Sequence, residues 1–427
     1  MERSFLQMTR ANLEAEKAGL TEIYEEKKAQ GLRLDMSRGK PCREQLDLSN
    51  GLLTVLDGEN CKADDGTDVR NYGILAGIPQ ARRLFAELCG VSAENVIIGG
   101  TASLDLMYSA LVRAMLFGVG DGKKPWSQQG NIKFLCPCPG YDRHFAMCAD
   151  LGIELIPVRM TQSGPDMDTV ERLVCGDAQI KGIWCVPKYS NPDGITYSDD
   201  TVRRLARLRT AADDFRIFWD NAYIVHDIDD TPDTLTNIFD LIDGTPNSDS
   251  VYMFVSTAKI TFPGAGISAM ISSGKNTEFT LKHLTYQTIS YDKINQLRHV
   301  RFLRDADGVR AHMKKHRAIL EPKFRIVTEA LERDLGGTDT ARWNTPHGGY
   351  FISLYAMPGT AKRVGQLCRE AGVTLTNVGA TYPYGIDPDD SNIRIAPSYP
   401  SESELSAAVD ILTVCVRLAA CEKLLNE

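Results

Sequence analysis

Four polar residues in this 427-residue sequence suit one another chemically by type and spacing. Lys259 closes Ser256-Thr257-Ala258-Lys259 just after an apolar run at 251–255. A lysine at a buried strand end has its amine pKa lowered, as attack on a carbonyl to form an imine requires. Asp220 emerges from Ile217-Phe218-Trp219 and opens Asp220-Asn221-Ala222-Tyr223. A carboxylate there is costly to bury without a cationic partner, either in a structural ion pair or as the protonated ring nitrogen of a ligand. Asn191, in Asn191-Pro192-Asp193-Gly194, is biased to extended backbone by the proline, with its amide available as a donor. Tyr223 offers a second donor. The glycines and hydroxyls of Gly99-Gly100-Thr101-Ala102-Ser103 let backbone N–H groups face an anion, and the turn 137–140 sets Tyr141 to stack on an aromatic ligand. Each feature alone also fits an ordinary turn, a packed aromatic or a solvated lysine. Together they offer an amine for an aldehyde, a carboxylate for a ring nitrogen, two donors for a phenolic oxygen and an anion cradle.

The elements that must position these groups follow from the apolar pattern. Runs at 95–98, 132–136, 153–158, 182–186, 215–219, 251–255 and 267–272 read as strands, several apolar throughout, as strands covered on both faces are. Helical stretches between them, such as 201–212, fit right-handed crossovers. The expected fold is α/β: a large domain over residues 50–300 with a mostly parallel seven-stranded sheet. Asn191, Asp220, Tyr223 and Lys259 each follow the carboxyl end of a strand, where ligands of such sheets gather. An amphipathic helix at 5–30, a long helical region at about 292–335 and strand signals at 349–354, 373–376 and 393–396 predict a smaller α/β domain built from 1–49 and 301–427.

Composition narrows the partners. The chain is 43% hydrophobic and 24% charged, with a formal net charge of -8, which disfavours nucleic acid and anionic membranes while allowing an anionic small substrate. No run of apolar residues is long enough to span a membrane. The first twenty residues lack the form of a signal peptide or presequence, and the eleven cysteines form no paired CxxC motif, so a reduced, cytoplasmic protein without a metal site is expected.

With Asn-Pro-x-Gly at 191–194, Asp-x-Ala-Tyr at 220–223, Ser-x-x-Lys at 256–259, Gly348-Gly349-Tyr350-Phe351 and a late Arg394, the chain resembles the fold-type-I pyridoxal-phosphate aminotransferases of classes I and II from about Gly39 to Arg394. The segments 36–41 and 290–298 resemble their divergent aspartate aminotransferase subgroup, Ic. The resemblance implies that Lys259 carries pyridoxal phosphate as a Schiff base and shuttles the proton, while Asp220 pairs with the pyridinium. It implies that Tyr223 and Asn191 bond the phenolic oxygen, that Tyr141 stacks on the ring, and that Thr101, Ala102, Ser103 and Ser256 hold the phosphate. Tyr72 would reach the phosphate of a neighbouring subunit in a homodimer with shared sites. Arg394 would grip the substrate α-carboxylate, with the backbone at Gly39 closing over it. Candidates for a second substrate carboxylate are Arg38, Lys40, Lys293 and Arg298, with Lys293 about where the family's neighbouring-subunit arginine falls. The implied reaction moves an amino group between an amino acid, aspartate or another dicarboxylate, and 2-oxoglutarate by a ping-pong mechanism.

The chain departs from the family where an arginine eight residues after the lysine clamps the phosphate: here that position is Ile267. Rival readings are a β-lyase or decarboxylase on the same fold, a dinucleotide-binding oxidoreductase, and a pyridoxal-phosphate-binding regulatory module. Arg394 argues against the decarboxylase, because an anchored carboxylate is not expelled. The oxidoreductase would rest on Gly264-Ala265-Gly266-Ile267-Ser268-Ala269, which has to open a helix; Ile267–Ile271 reads as a strand instead. The regulator would need a basic recognition helix, and none precedes Gly39.

Overall fold

The structure, a computed structural model, describes residues 4–426. In chain order its strands begin with β1 (Leu34–Asp35), β2 (Val96–Ile98), β3 (Lys133–Cys138), β4 (Glu154–Thr161), β5 (Gly164–Pro165) and β6 (Ile180–Cys185). There follow β7 (Arg216–Asp220), β8 (Val251–Ser256), β9 (Ser268–Ile271), β10 (Ala341–Trp343), β11 (Ile352–Ala356), β12 (Val373–Thr374) and β13 (Asn392–Ile395).

The seven apolar runs of residues 95–272 all became strands of one sheet, in the order β2-β9-β8-β7-β6-β3-β4, and β5 makes an eighth. That extra strand is only two residues folded back on the end of β4, too short to show a hydrophobic period. Strands β4, β3, β6, β7 and β8 are parallel; β9 runs against both β8 and β2. Side chains alternate across the sheet with the period of two that strand geometry demands. Leu135, Ile183, Cys185, Ile217 and Trp219 enter one hydrophobic cluster, while Phe134, Cys136, Trp184, Phe218 and Phe254 enter the cluster on the other face. On that second face Phe134 packs edge-on to Phe218 at 5.3 Å, and Trp184 to Phe218 at 4.8 Å.

At the amino ends of the strands the polar groups close on themselves. Lys181 Nζ donates to Asp214 Oδ1 (2.7 Å), and Asp214 Oδ2 accepts from Trp126 Nε1 (3.1 Å) and Gln129 Nε2 (2.8 Å). This buried ion pair is satisfied by protein atoms alone, as a structural pair is.

The chain ends pack together beside the sheet. Leu13, Leu20 and Tyr24 of helix Arg10–Ala29 share a cluster with Leu412, Val416 and Ala419 of helix Glu402–Asn426 and with the strands β10-β11-β13. The first helix starts at Arg10, later than its apolar pattern, because Thr9 Oγ1 accepts the Asn12 N–H and caps it. The long helical region is split for a similar reason. Helix Lys293–Leu303 stops at Arg304 (φ +69°), and Asp305 caps helix Ala306–Leu335 by accepting the Gly308 N–H (2.7 Å). That second helix holds Val309 and Met313 in a cluster with Ile260 near the sheet, then Leu320, Phe324, Val327 and Leu331 in the terminal cluster, with Pro322 inside it.

Gly182 in β6 shows how tightly the sheet centre is filled: a Cβ there would lie 2.2 Å from the Phe134 ring and 2.8 Å from the Arg216 carbonyl. Gly182→Ala is therefore expected to lower stability by about 1–3 kcal/mol, the cost of overpacking. A urea unfolding curve measures it, and an unchanged midpoint would show that the aromatic layer yields freely.

Candidate active site

Five loops leave the carboxyl ends of β2, β3, β6, β7 and β8 and line one cavity of about 670 Å³. They bring Ala102 and Ser103, Tyr141, Asn191, Asp220 and Tyr223, and Ser256 and Lys259 together. The far wall comes from the chain ends: Gly39 with its neighbours, Phe351, the stretch 374–377 and Arg394.

The β7 carboxylate is the most constrained group. Asp220 is 3% exposed, and His144 Nε2 lies 3.0 Å from its Oδ2, donating to it. His144 is itself fixed by stacking on Trp184, with centroids 4.1 Å apart and planes 5° from parallel. The other oxygen, Asp220 Oδ1, is buried with no hydrogen-bond partner among the described residues. A buried acceptor without a donor is costly, and a protonated ring nitrogen in the cavity would satisfy it. His144 was not picked out from the sequence; its signal was its place one turn after Tyr141 at the mouth of a strand-to-helix loop.

Lys259 is half-buried, with Nζ 5.3 Å from the centre of the Tyr223 ring. Burial lowers its amine below the usual 10.5, while the Asp220 carboxylate pulls the other way. Tyr223 is 2% exposed and packs against Tyr350 at 6.2 Å, and burial raises its hydroxyl pKa. Tyr141 is half-buried beside His144, its hydroxyl pushed up to about 12 by burial.

The turn expected to hold a phosphate offers backbone and hydroxyl donors. Helix Ser103–Phe117 begins at Ala102, whose side chain caps nothing, so its first N–H groups stand open at the cavity edge beside Ser256. Ile267, where the family carries arginine, is 1% exposed and donates its N–H to Thr257 Oγ1 (2.9 Å). Gly266 lets this loop approach: a Cβ would lie 2.8 Å from the Thr101 carbonyl. The glycine-rich stretch leads into β9, not a helix, which removes the dinucleotide-binding reading.

Arg394, on β13, is 8% exposed on its side chain and sits 4.8 Å over the Phe351 ring. Its Nη1 donates to Asn191 Oδ1 (3.2 Å) and Asp142 Oδ1 (3.3 Å); Nε and Nη2 reach Thr376 Oγ1 (3.3 and 3.1 Å). Gly39 lies against the same ring, where a Cβ would come within 2.5 Å.

Other expected residues lie elsewhere. Thr101 is exposed and does not line the cavity. Tyr72 is 78% exposed and outside its own chain's cavity. Lys293 is buried away from it, donating to the Asn71 carbonyl (2.6 Å) and Ser290 Oγ (3.1 Å), which leaves it no reach to a substrate there. Of the candidates for a second carboxylate, Arg38 and Lys40 line the cavity and Lys293 and Arg298 do not. Arg143, missed in the sequence, lines it too and is exposed; its signal was adjacency to Tyr141, the residue expected to stack on a ring.

Because burial disfavours the ammonium form, Lys259 in cofactor-free protein should be acylated by an amine reagent with a midpoint below 10.5. Asp220→Asn should move that midpoint further down, since the carboxylate favours the ammonium. Competitive labelling read by mass spectrometry decides, and a midpoint matching surface lysines would refute this electrostatic picture.

Comparison with known proteins places this geometry. The family model described as aspartate amino-transferase matches residues 8–427. A Mycolicibacterium smegmatis relative is 49% identical over 426 residues, 99% of this chain and 100% of its own. The aspartate aminotransferase of Corynebacterium glutamicum is 45% identical over 94% of this chain and 93% of its own. A crystal structure of an aspartate transaminase from Corynebacterium glutamicum superimposes with a TM-score of 0.96 at 43% identity, covering 99% of this chain and all of that one.

Proposed function

The chain belongs to the aspartate amino-transferase family, a pyridoxal-phosphate-dependent one, and from that premise we propose the substrates and the part each residue plays. The substrates are aspartate, or a closely similar dicarboxylic amino acid, and 2-oxoglutarate, exchanged in turn through one cavity. One observation carries this reading: a lysine with a lowered pKa, a buried carboxylate with an orphaned oxygen and a nearly buried arginine face one another across a single cleft.

Pyridoxal phosphate, when bound, supplies an aldehyde for the amino group and a conjugated ring that withdraws electrons from the substrate Cα. Asp220 keeps the ring nitrogen protonated, held in place by His144. Asn191 and Tyr223 donate to the phenolic oxygen, and Tyr141 covers the ring. The open N–H groups at Ala102–Ser103 and the hydroxyl of Ser256 hold the phosphate in place of a cationic clamp. Arg394 binds the α-carboxylate as a fork, and Gly39 closes over it. Lys259, whose charged form burial disfavours, would serve as the base at the substrate Cα and as the group that redelivers that proton.

The aspartate assignment is supported by the Corynebacterium glutamicum relative and by the positive rim of the cavity, where Arg38, Lys40 and Arg143 stand against two lining acids, Asp142 and Asp220. Lys293 serves a partner's site through Tyr72, whose turn it anchors at Asn71. A homodimer fits the exposure of Tyr72 and of Leu116, Phe117 and Tyr286, the last three on the helices Ser103–Phe117 and Gly274–Gln287. The same reading divides the chain into a cofactor-binding domain over 50–300 and a small domain from 1–49 and 301–427. No helix among the described residues is long and apolar enough to cross a membrane.

Borohydride should fix the cofactor on Lys259, and rapid-mixing half-reactions should run with aspartate and glutamate in preference to aromatic or neutral amino acids. Label on another lysine would refute the role of Lys259, and selective reaction with aromatic amino acids would refute the dicarboxylate assignment. Asp220→Ala should cost at least about 3 kcal/mol in the chemical step, as loss of a preorganised electrostatic partner does. Single-turnover rates measure it; near-normal turnover would mean the ring nitrogen is held otherwise.

A further inference from the structure

Arg394 is crowded before any substrate arrives. A guanidinium has five N–H bonds in a rigid fork. Nη1 spends both of its bonds on Asn191 Oδ1 (3.2 Å) and Asp142 Oδ1 (3.3 Å). Nε and one bond of Nη2 go to Thr376 Oγ1, which is oriented by donating its own proton to the Ser37 carbonyl (2.7 Å). One Nη2 bond is left over. A carboxylate that grips the Nη1–Nη2 edge with both oxygens must therefore displace an acceptor from Nη1.

The two acceptors differ in how easily they leave. Asn191 is 5% exposed within a loop clamped from behind, where Tyr355 Oη donates to Asp193 Oδ1 (2.7 Å) and Asn344 Nδ2 to the Asp193 carbonyl (3.2 Å). Asp142 is 36% exposed on its side chain, stands in the first turn of helix Asp142–Asp150, and has a single ion-pair partner. It is also chemically the same group as the incoming ligand: a carboxylate on the carboxylate-binding arginine.

We propose that Asp142 is an internal competitor for the substrate carboxylate: it occupies Arg394 between turnovers and must swing off toward solvent for an amino or oxo acid to bind. Its presence keeps a nearly buried cation compensated when the cavity holds no acid, and it weakens every carboxylate ligand by the same factor. Substrate and product then leave more readily than the bare arginine would allow. The inference rests on the reading of Arg394 as the α-carboxylate clamp.

The test is calorimetric titration of succinate into holoenzyme. Asp142→Asn, which keeps the shape and removes the charge, should lower the succinate Kd by about three- to tenfold, since the competent fraction of Arg394 rises. Asp142→Ala should do the same, with KM falling for both substrates and kcat not rising. A folding defect weakens binding, so tightening is not a structural side effect. Unchanged or weaker succinate binding in both variants overturns the proposal. Arg394→Ala separates the two layers. If it abolishes binding while the Asp142 variants show no gain, the clamp stands and the competitor falls. If it binds succinate as the parent does, the clamp reading fails and takes the competitor with it.

Discussion

The site is organised around a negative charge that cannot reach water. Asp220 ends an apolar strand in the middle of the sheet, and a buried carboxylate must be compensated on both oxygens. One oxygen has His144, and that histidine needs the flat face of Trp184 and a helix that starts at Asp142. The second oxygen has no hydrogen-bond partner among the described residues, on a residue that lines the cavity the other four loops surround. Supporting this one residue therefore draws on β3, β6 and β7 together, which accounts for its sitting at the sheet's centre and not on an edge.

Lys259 and Arg394 answer the same problem with opposite charge. Burial disfavours the charged form of the lysine amine, while the Asp220 carboxylate favours it. An arginine cannot lose its proton, so Arg394 is surrounded instead: Asn191 and Asp142 from the sheet side, Thr376 and Phe351 from the terminal side. Its partners come from both layers of the molecule. Thr376 also donates to the Ser37 carbonyl, so Arg394 is tied to the segment that carries Gly39.

Much of this was legible in the sequence because strand ends in an α/β sheet leave local signatures. The runs before Asp220 and Lys259 were apolar on both faces, and the polar residues that followed had nowhere else to point. What stayed illegible depended on contacts between distant segments. His144 and Trp184 are forty residues apart and meet only because β3 and β6 are neighbours. Lys293 is a candidate for a second substrate carboxylate in a neighbouring subunit; within its own chain its ammonium donates to the carbonyl of Asn71, a backbone group with no sequence signature. The eighth strand and the break at Arg304 were missed for a local reason: two residues show no period, and an aspartate cap overrides a continuous apolar stripe.

Helix Ala306–Leu335 has a mechanical consequence. Thirty residues make a rod of about 45 Å, and both ends of this one are embedded, Val309 and Met313 beside the loop of Lys259 and Leu320 to Leu331 in the terminal core. A rod anchored in two cores couples them, because opening either one has to break the helix or pull its half out of place. Near the changeover Pro322 removes one rung of the hydrogen-bond ladder, the compliant point of an otherwise stiff beam.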